Sequence, residues 1–117
     1  MTDTQALRDL LVKVEAGTIF AGDFVTDEEA ALVYDAFPPN DDDVVGSAEW
    51  VGLAHDGSLD AAKVLHEAVL PGCSWGVGDT CAGVYINGEY RSKEVCGNPA
   101  RAWLICILRA MIAQATP

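Results

Sequence analysis

Asn87-Gly88 stands between two runs of β-forming residues, Val84-Tyr85-Ile86 before it and Tyr90 to Val95 after it. An Asn-Gly pair accepts the positive φ angles that a two-residue hairpin turn demands, so this dipeptide commits the chain to antiparallel pairing. Strands are expected at about 82–86 and 89–95, with another at about 74–78, where Trp75 and Val77 sit among glycines. The rest of the chain has helical spacing. Thr2 and Gln5 open a capping box, Leu7, Leu10, Leu11 and Val14 follow on one face, and Gly17 is a natural stop. Thr26-Asp-Glu-Glu29 opens a second helix through Ala30, Val33, Tyr34 and Phe37, closed by Pro38-Pro39. Residues 40–46 read as a loop, and 47–54 fit either a short helix carrying Trp50 and Leu53 or a short strand. Ser58 caps a helix with Leu59, Ala62, Leu65, Ala68 and Val69 on one face, ended by Pro71-Gly72. Asn98-Pro99 starts the last helix, Pro99 to about Gln114, whose Trp103, Leu104, Ile107, Leu108 and Met111 form a broad apolar face. Trp103, Ile107 and Met111 are expected to be buried.

Helices followed by an antiparallel meander and a closing helix define an α+β domain. The 117 residues suit one domain, 1–117, divided into an acidic helical part (1–60) and a helix, β-meander and C-terminal helix (58–117). With 50% apolar residues and no low-complexity stretch, the composition excludes wholesale disorder. No apolar run is long enough to span a bilayer, and acids occupy the N-terminus where a signal peptide has basic residues. A soluble intracellular protein is expected.

Charge is distributed unevenly. Residues 1–60 hold fourteen acids and two basic residues, whereas 61–117 hold four acids and five basic residues. From Ala21 to Asp60 there are eleven acids and no Lys or Arg. Such a run cannot neutralise itself, so it repels nucleic acid and attracts a basic protein surface. The competing reading is a solvated face that keeps an apolar chain soluble. Asp27, Glu28 and Glu29 also suit the positive end of a helix dipole, which gives them a purely structural reason.

Motifs for chemistry are weak. Asp41-Asp42-Asp43-Val44-Val45-Gly46 imitates the start of a calcium loop, but the twelfth position is Gly52 where a bidentate Glu is needed. Cys73, Cys81, Cys96 and Cys106 include no Cys-x-x-Cys pair. His66 with Cys73 and Cys81 offers three ligands at spacings that match no zinc pattern. Neither an essential metal nor a structural disulfide is expected. His66 and Glu67 are adjacent on a helix and do not face each other, so His66 reads as an interfacial or surface residue. Hydrolase elbow, zinc-protease and P-loop patterns are absent from the sequence, and no enzyme is expected. Trp50, Trp75 and Trp103 are large anchors, for core or for a partner surface.

Two stretches carry a resemblance. Gly57-Ser-Leu-Asp-Ala-Ala-Lys-Val-Leu-His-Glu-Ala-Val-Leu-Pro-Gly-Cys-Ser-Trp75 and Asn98-Pro-Ala-Arg-Ala-Trp-Leu-Ile-Cys-Ile-Leu-Arg-Ala-Met-Ile-Ala-Gln-Ala115 resemble small phage and prophage proteins of the "phage ABA sandwich" type. Leu10-Leu-Val-Lys-Val-Glu-Ala-Gly17 is similar too. The resemblance implies an α/β/α sandwich-like fold, with helices on both faces of a small three-stranded antiparallel sheet. It breaks off between about 21 and 56, where the acidic segment lies. A phage-like fold bearing an unpaired acidic segment looks like the acidic anti-CRISPRs, which block a Cas complex at its DNA-binding surface.

The function expected from this resemblance and the charge together is inhibition of a Cas effector. Asp23, Asp27, Glu28, Glu29, Asp35, Asp41, Asp42, Asp43, Glu49 and Asp56 would be presented to a basic duplex- or PAM-reading surface of an effector subunit. The expected inhibitor is a monomer in the cytoplasm of the bacterial host, without a cofactor and without direct nucleic-acid or membrane contact. The alternative is a phage accessory or assembly protein that binds another phage protein through an apolar, aromatic face.

Overall fold

The computed structural model describes residues 4–16, 27–36, 48–70, 72–86, 89–94 and 97–115. Their order is α1 (Thr4–Ala16), α2 (Asp27–Ala36), α3 (Ala48–Asp56), α4 (Leu59–Val69), β1 (Trp75–Val77), β2 (Cys81–Ile86), β3 (Glu89–Glu94) and α5 (Pro99–Ala115). The fold is α+β: five helices on a three-stranded antiparallel sheet of order β1-β2-β3. Ile86 pairs with Glu89, so the β2–β3 connection holds just the Asn87-Gly88 pair, which lies outside the described residues. That register fits the expected two-residue hairpin.

Residues 48–56 resolve as a helix, not a strand. Val51, Ala54 and His55 are buried at i, i+3, i+4, a helical stripe that a strand would split between two faces. The helix ends in a Schellman turn. Gly57 takes φ 121°, its N–H donates to the Ala54 carbonyl (3.2 Å), and the Ser58 N–H donates to the Leu53 carbonyl (2.9 Å). Ser58 at once caps α4, its Oγ accepting from the Ala61 N–H.

Helix α5 is the centre of the molecule. Every residue from Ala102 to Leu108 is buried, and a helix buried all round needs partners on all sides. The sheet covers one side of it, and α1, α3 and α4 pack on the rest. Trp103 and Ile107 are buried as expected, whereas Met111 at the outer end is only half-buried. Ala82 and Val84 of β2 face α5, and the Cys106 thiol donates to the Ala82 carbonyl (3.4 Å). The resemblance puts helices on both faces of the sheet; among the described residues, α5 packs across one face, and Tyr85 and Tyr90 stand exposed on the other.

On that outer face the Tyr90 ring lies over Gly83 of β2. A Cβ added at Gly83 would come within 2.5 Å of the Tyr90 ring and 2.7 Å of the Arg91 carbonyl oxygen, which is backbone and cannot swing away. Gly83→Ala is therefore expected to cost about 1–3 kcal/mol by overpacking. Urea denaturation measures it, and an unchanged midpoint would show that the two strands approach less closely.

Candidate functional site

Helices α2 and α3 carry most of the described part of the acidic segment and pack against each other, and Asp60 follows in the first turn of α4. Asp35 on α2 and Asp56 at the end of α3 are exposed. Asp27, Glu28 and Glu29 form the first turn of α2, and Glu49 lies in the first turn of α3. Asp23, Asp41, Asp42 and Asp43 lie outside the described residues.

Beside the packing of α3 on α5, a hydrogen-bonded junction joins the two helices. The His55 carbonyl, at the C-terminal end of α3, accepts from Asn98 Nδ2 (2.9 Å) and Arg101 Nε (3.0 Å). Asn98 Oδ1 in turn accepts from the Arg101 N–H (3.0 Å), which caps α5. Arg101 thus supplies positive charge where the α3 dipole is negative. The N-terminus of α5 fixes the C-terminus of α3, and with it the position of Asp56.

His66 corrects the expectation of an interfacial or surface residue: it is 1% exposed. Trp103 Nε1–H donates to His66 Nδ1 (3.1 Å), and His66 Nε2 lies 2.8 Å from the Cys73 carbonyl. An indole nitrogen only donates, so Nδ1 must be the acceptor and Nε2 carries the proton to Cys73. Both ring nitrogens are thereby committed. Trp75 meets His66 edge-on (centroids 4.9 Å) and stacks on Trp103 (5.4 Å), which places it at the margin of the core, 38% exposed. Trp50 is half-buried against the core. A cavity of about 230 Å³ opens beside His66, Glu67, Cys73 and Trp75, yet the imidazole has no free nitrogen to offer a substrate. The signal for burial was present in the sequence: His66 falls on the same helical stripe as Ala62 and Leu70.

Burial pushes the His66 pKa below its ordinary 6.5, against opposing contributions from the Cys73 carbonyl and Glu67. Burial also lowers His55, helped by the Arg101 charge and opposed by Asp56. Neither His55 ring nitrogen has a hydrogen-bond partner among the described residues. Both imidazoles are then neutral in the folded protein, while the unfolded chain takes up protons more readily. Their contribution to stability is complete above about pH 6.5 and is lost as pH falls from there through the folded-state values. Denaturant midpoints should be lower at about pH 5.5 than at about pH 7.5, and both imidazoles should titrate below the ordinary histidine value by NMR. A midpoint of titration above it would contradict the buried, neutral assignment.

Cys73, Cys81 and Cys106 are free thiols, and Cys96 lies outside the described residues. Burial raises the Cys106 thiol to about 11, which leaves it almost wholly protonated and a poor nucleophile. Among the described residues, no three His, Cys, Asp or Glu side chains are grouped to hold a metal ion. Nor does any described helix have the length and apolarity to cross a membrane.

The chain matches no protein-family model, no curated protein and no solved structure. Its site must be read from its own residues. The sequence pattern missed two further features: the committed His66–Trp103 pair above, and a basic groove at the opposite end of α5. Arg8, Arg91 and Arg109 are far apart in sequence, and no local spacing announces their meeting.

Proposed function

We propose that the protein is a phage- or prophage-encoded binding inhibitor, of the acidic anti-CRISPR kind. It would set its carboxylates against a basic DNA-binding surface of a Cas effector and keep target DNA out. The observation that carries this reading is the interval from Ala21 to Asp60, with eleven acids and no Lys or Arg. Helices α2 and α3 within it pack together and present Asp35 and Asp56 to solvent. An array on a rigid scaffold competes with phosphates because its charges are already gathered, and it associates faster through electrostatic steering. The resemblance to small phage proteins supplies the choice of target. In this reading the protein acts by occupancy, not turnover; the His66 ring is committed to two structural hydrogen bonds, and the Cys106 thiol is raised to about 11 by burial.

The test is binding of purified Cas effector complexes to the immobilised protein at low and high salt, with and without prior loading of target DNA. Salt-sensitive capture that target DNA prevents is expected. Capture unaffected by bound DNA would overturn the reading.

A second reading has its own observation. Tyr85 and Tyr90 lie ring to ring (4.6 Å) on the open sheet face, 48% and 46% exposed. Exposed tyrosines are common anchors in protein interfaces, so an accessory or assembly role through this face predicts association that tolerates salt. Loss of association in Tyr90→Ala but not in acidic-segment variants would favour it.

A further inference from the structure

The acidic chain also carries a concentrated basic feature. Three of its four arginines, Arg8 on α1, Arg91 on β3 and Arg109 on α5, line a single groove of about 530 Å³. Leu11 and Val12 of α1 and Ile112 of α5 provide its apolar walls. The helical residues stand at i, i+3, i+4 on α1 and i, i+3 on α5, so each helix turns one arginine and its apolar neighbours into the same cleft. Val12 is 67% exposed there, an apolar side chain left open to water.

We infer that this groove binds a small amphipathic anion, a carboxylate with an aliphatic tail. The volume is that of an ordinary small-ligand site. The head-group chemistry follows from the arginines. Arg91 pairs with Glu89 (3.2 Å) and Arg109 with Glu15 (3.3 Å), both at exposed sites, while Arg8 makes no ion pair among the described residues. Exposed pairs of this kind are weak, so a ligand carboxylate can exchange for the protein's own. A guanidinium fork also matches a carboxylate in two parallel hydrogen bonds. The tail would cover Leu11, Val12 and Ile112. The protein's net charge of -11 disfavours anions in general, so the local arginines must supply the attraction.

Calorimetric titration with decanoate tests it, with acetate, decanol and decyltrimethylammonium as separate probes. Decanoate should bind with one-to-one stoichiometry, and acetate (head alone), decanol (tail alone) and the cation should each bind at least about tenfold more weakly. The Arg8→Gln, Arg109→Gln double variant, shown folded by circular dichroism, should lose about tenfold or more in decanoate affinity. Val12→Asp, an exposed change that leaves the arginines in place, should weaken decanoate without unfolding the chain. No saturable decanoate binding, equal binding of the cation, or unaltered affinity in both variants would overturn the inference. Binding to phosphatidylglycerol vesicles without binding of free decanoate would overturn it too, because the groove would then read a membrane surface.

Discussion

Trp103→Ala is expected to destabilise the protein by about 3–5 kcal/mol, a large share of what a domain this size possesses. Two effects act in the same direction. The indole projects from the second turn of α5, 2% exposed and stacked on Trp75, so its removal leaves a cavity among residues that cannot all collapse inward. Its N–H is also the partner of His66 Nδ1, and without it a buried acceptor is left unsatisfied. Trp103→Phe separates the two: much of the packing stays, the donor goes, and the cost should fall to about 1–3 kcal/mol. Urea denaturation of both variants gives the comparison. A Trp103→Ala protein with an unchanged midpoint would contradict α5 as the central element. Equal costs for Ala and Phe would place the whole effect in the hydrogen bond.

Local patterns were enough for the fold class. Asn87-Gly88, the Ser58 cap and the Asn98-Pro99 start each act within a few residues, and the strands and helices begin and end close to where those signals put them. Residues 48–56 resisted because Trp50, Val51 and Leu53 satisfy two short patterns equally well; the choice was made by burial of Val51, Ala54 and His55. The layering was also hidden. Apolar residues on nearly every side of 102–108 were visible as a broad face, but only the assembled fold shows helices on one side and the sheet on the other. His66 had a legible position and an illegible role, since its partners Cys73 and Trp103 are set by loop path and packing. Of the acidic residues, Asp35 and Asp56 are exposed, and spacing alone placed Asp27, Glu28 and Glu29 in a first helical turn. The arginine groove had no local signal because α1, β3 and α5 each supply one basic residue to it.

The second large effect concerns the acidic segment. Replacing Asp41, Asp42 and Asp43 together by Asn removes three of the eleven acids between Ala21 and Asp60 without adding a cation. If these side chains stand in for phosphates, each lost contact should cost between a few tenths and about 1 kcal/mol, and more where the pair is desolvated. Three such losses amount to about tenfold in partner affinity. Changing all three to Lys should be worse, because like charges then face the basic surface and oppose docking. If the segment serves only solubility, the Asn variant should bind its partner as tightly as the native chain does.

The deciding measurement is inhibition of target-DNA binding by a Cas effector complex, titrated with the native protein and with the folded Asp41→Asn, Asp42→Asn, Asp43→Asn variant at low and at high salt. Electrostatic mimicry predicts inhibition by the native protein that weakens as salt rises, because screening shortens the reach of its charges. It also predicts a variant weaker by about tenfold at low salt, with a shallower salt dependence. A triple variant that inhibits as well as the native protein at both salt concentrations would contradict the account.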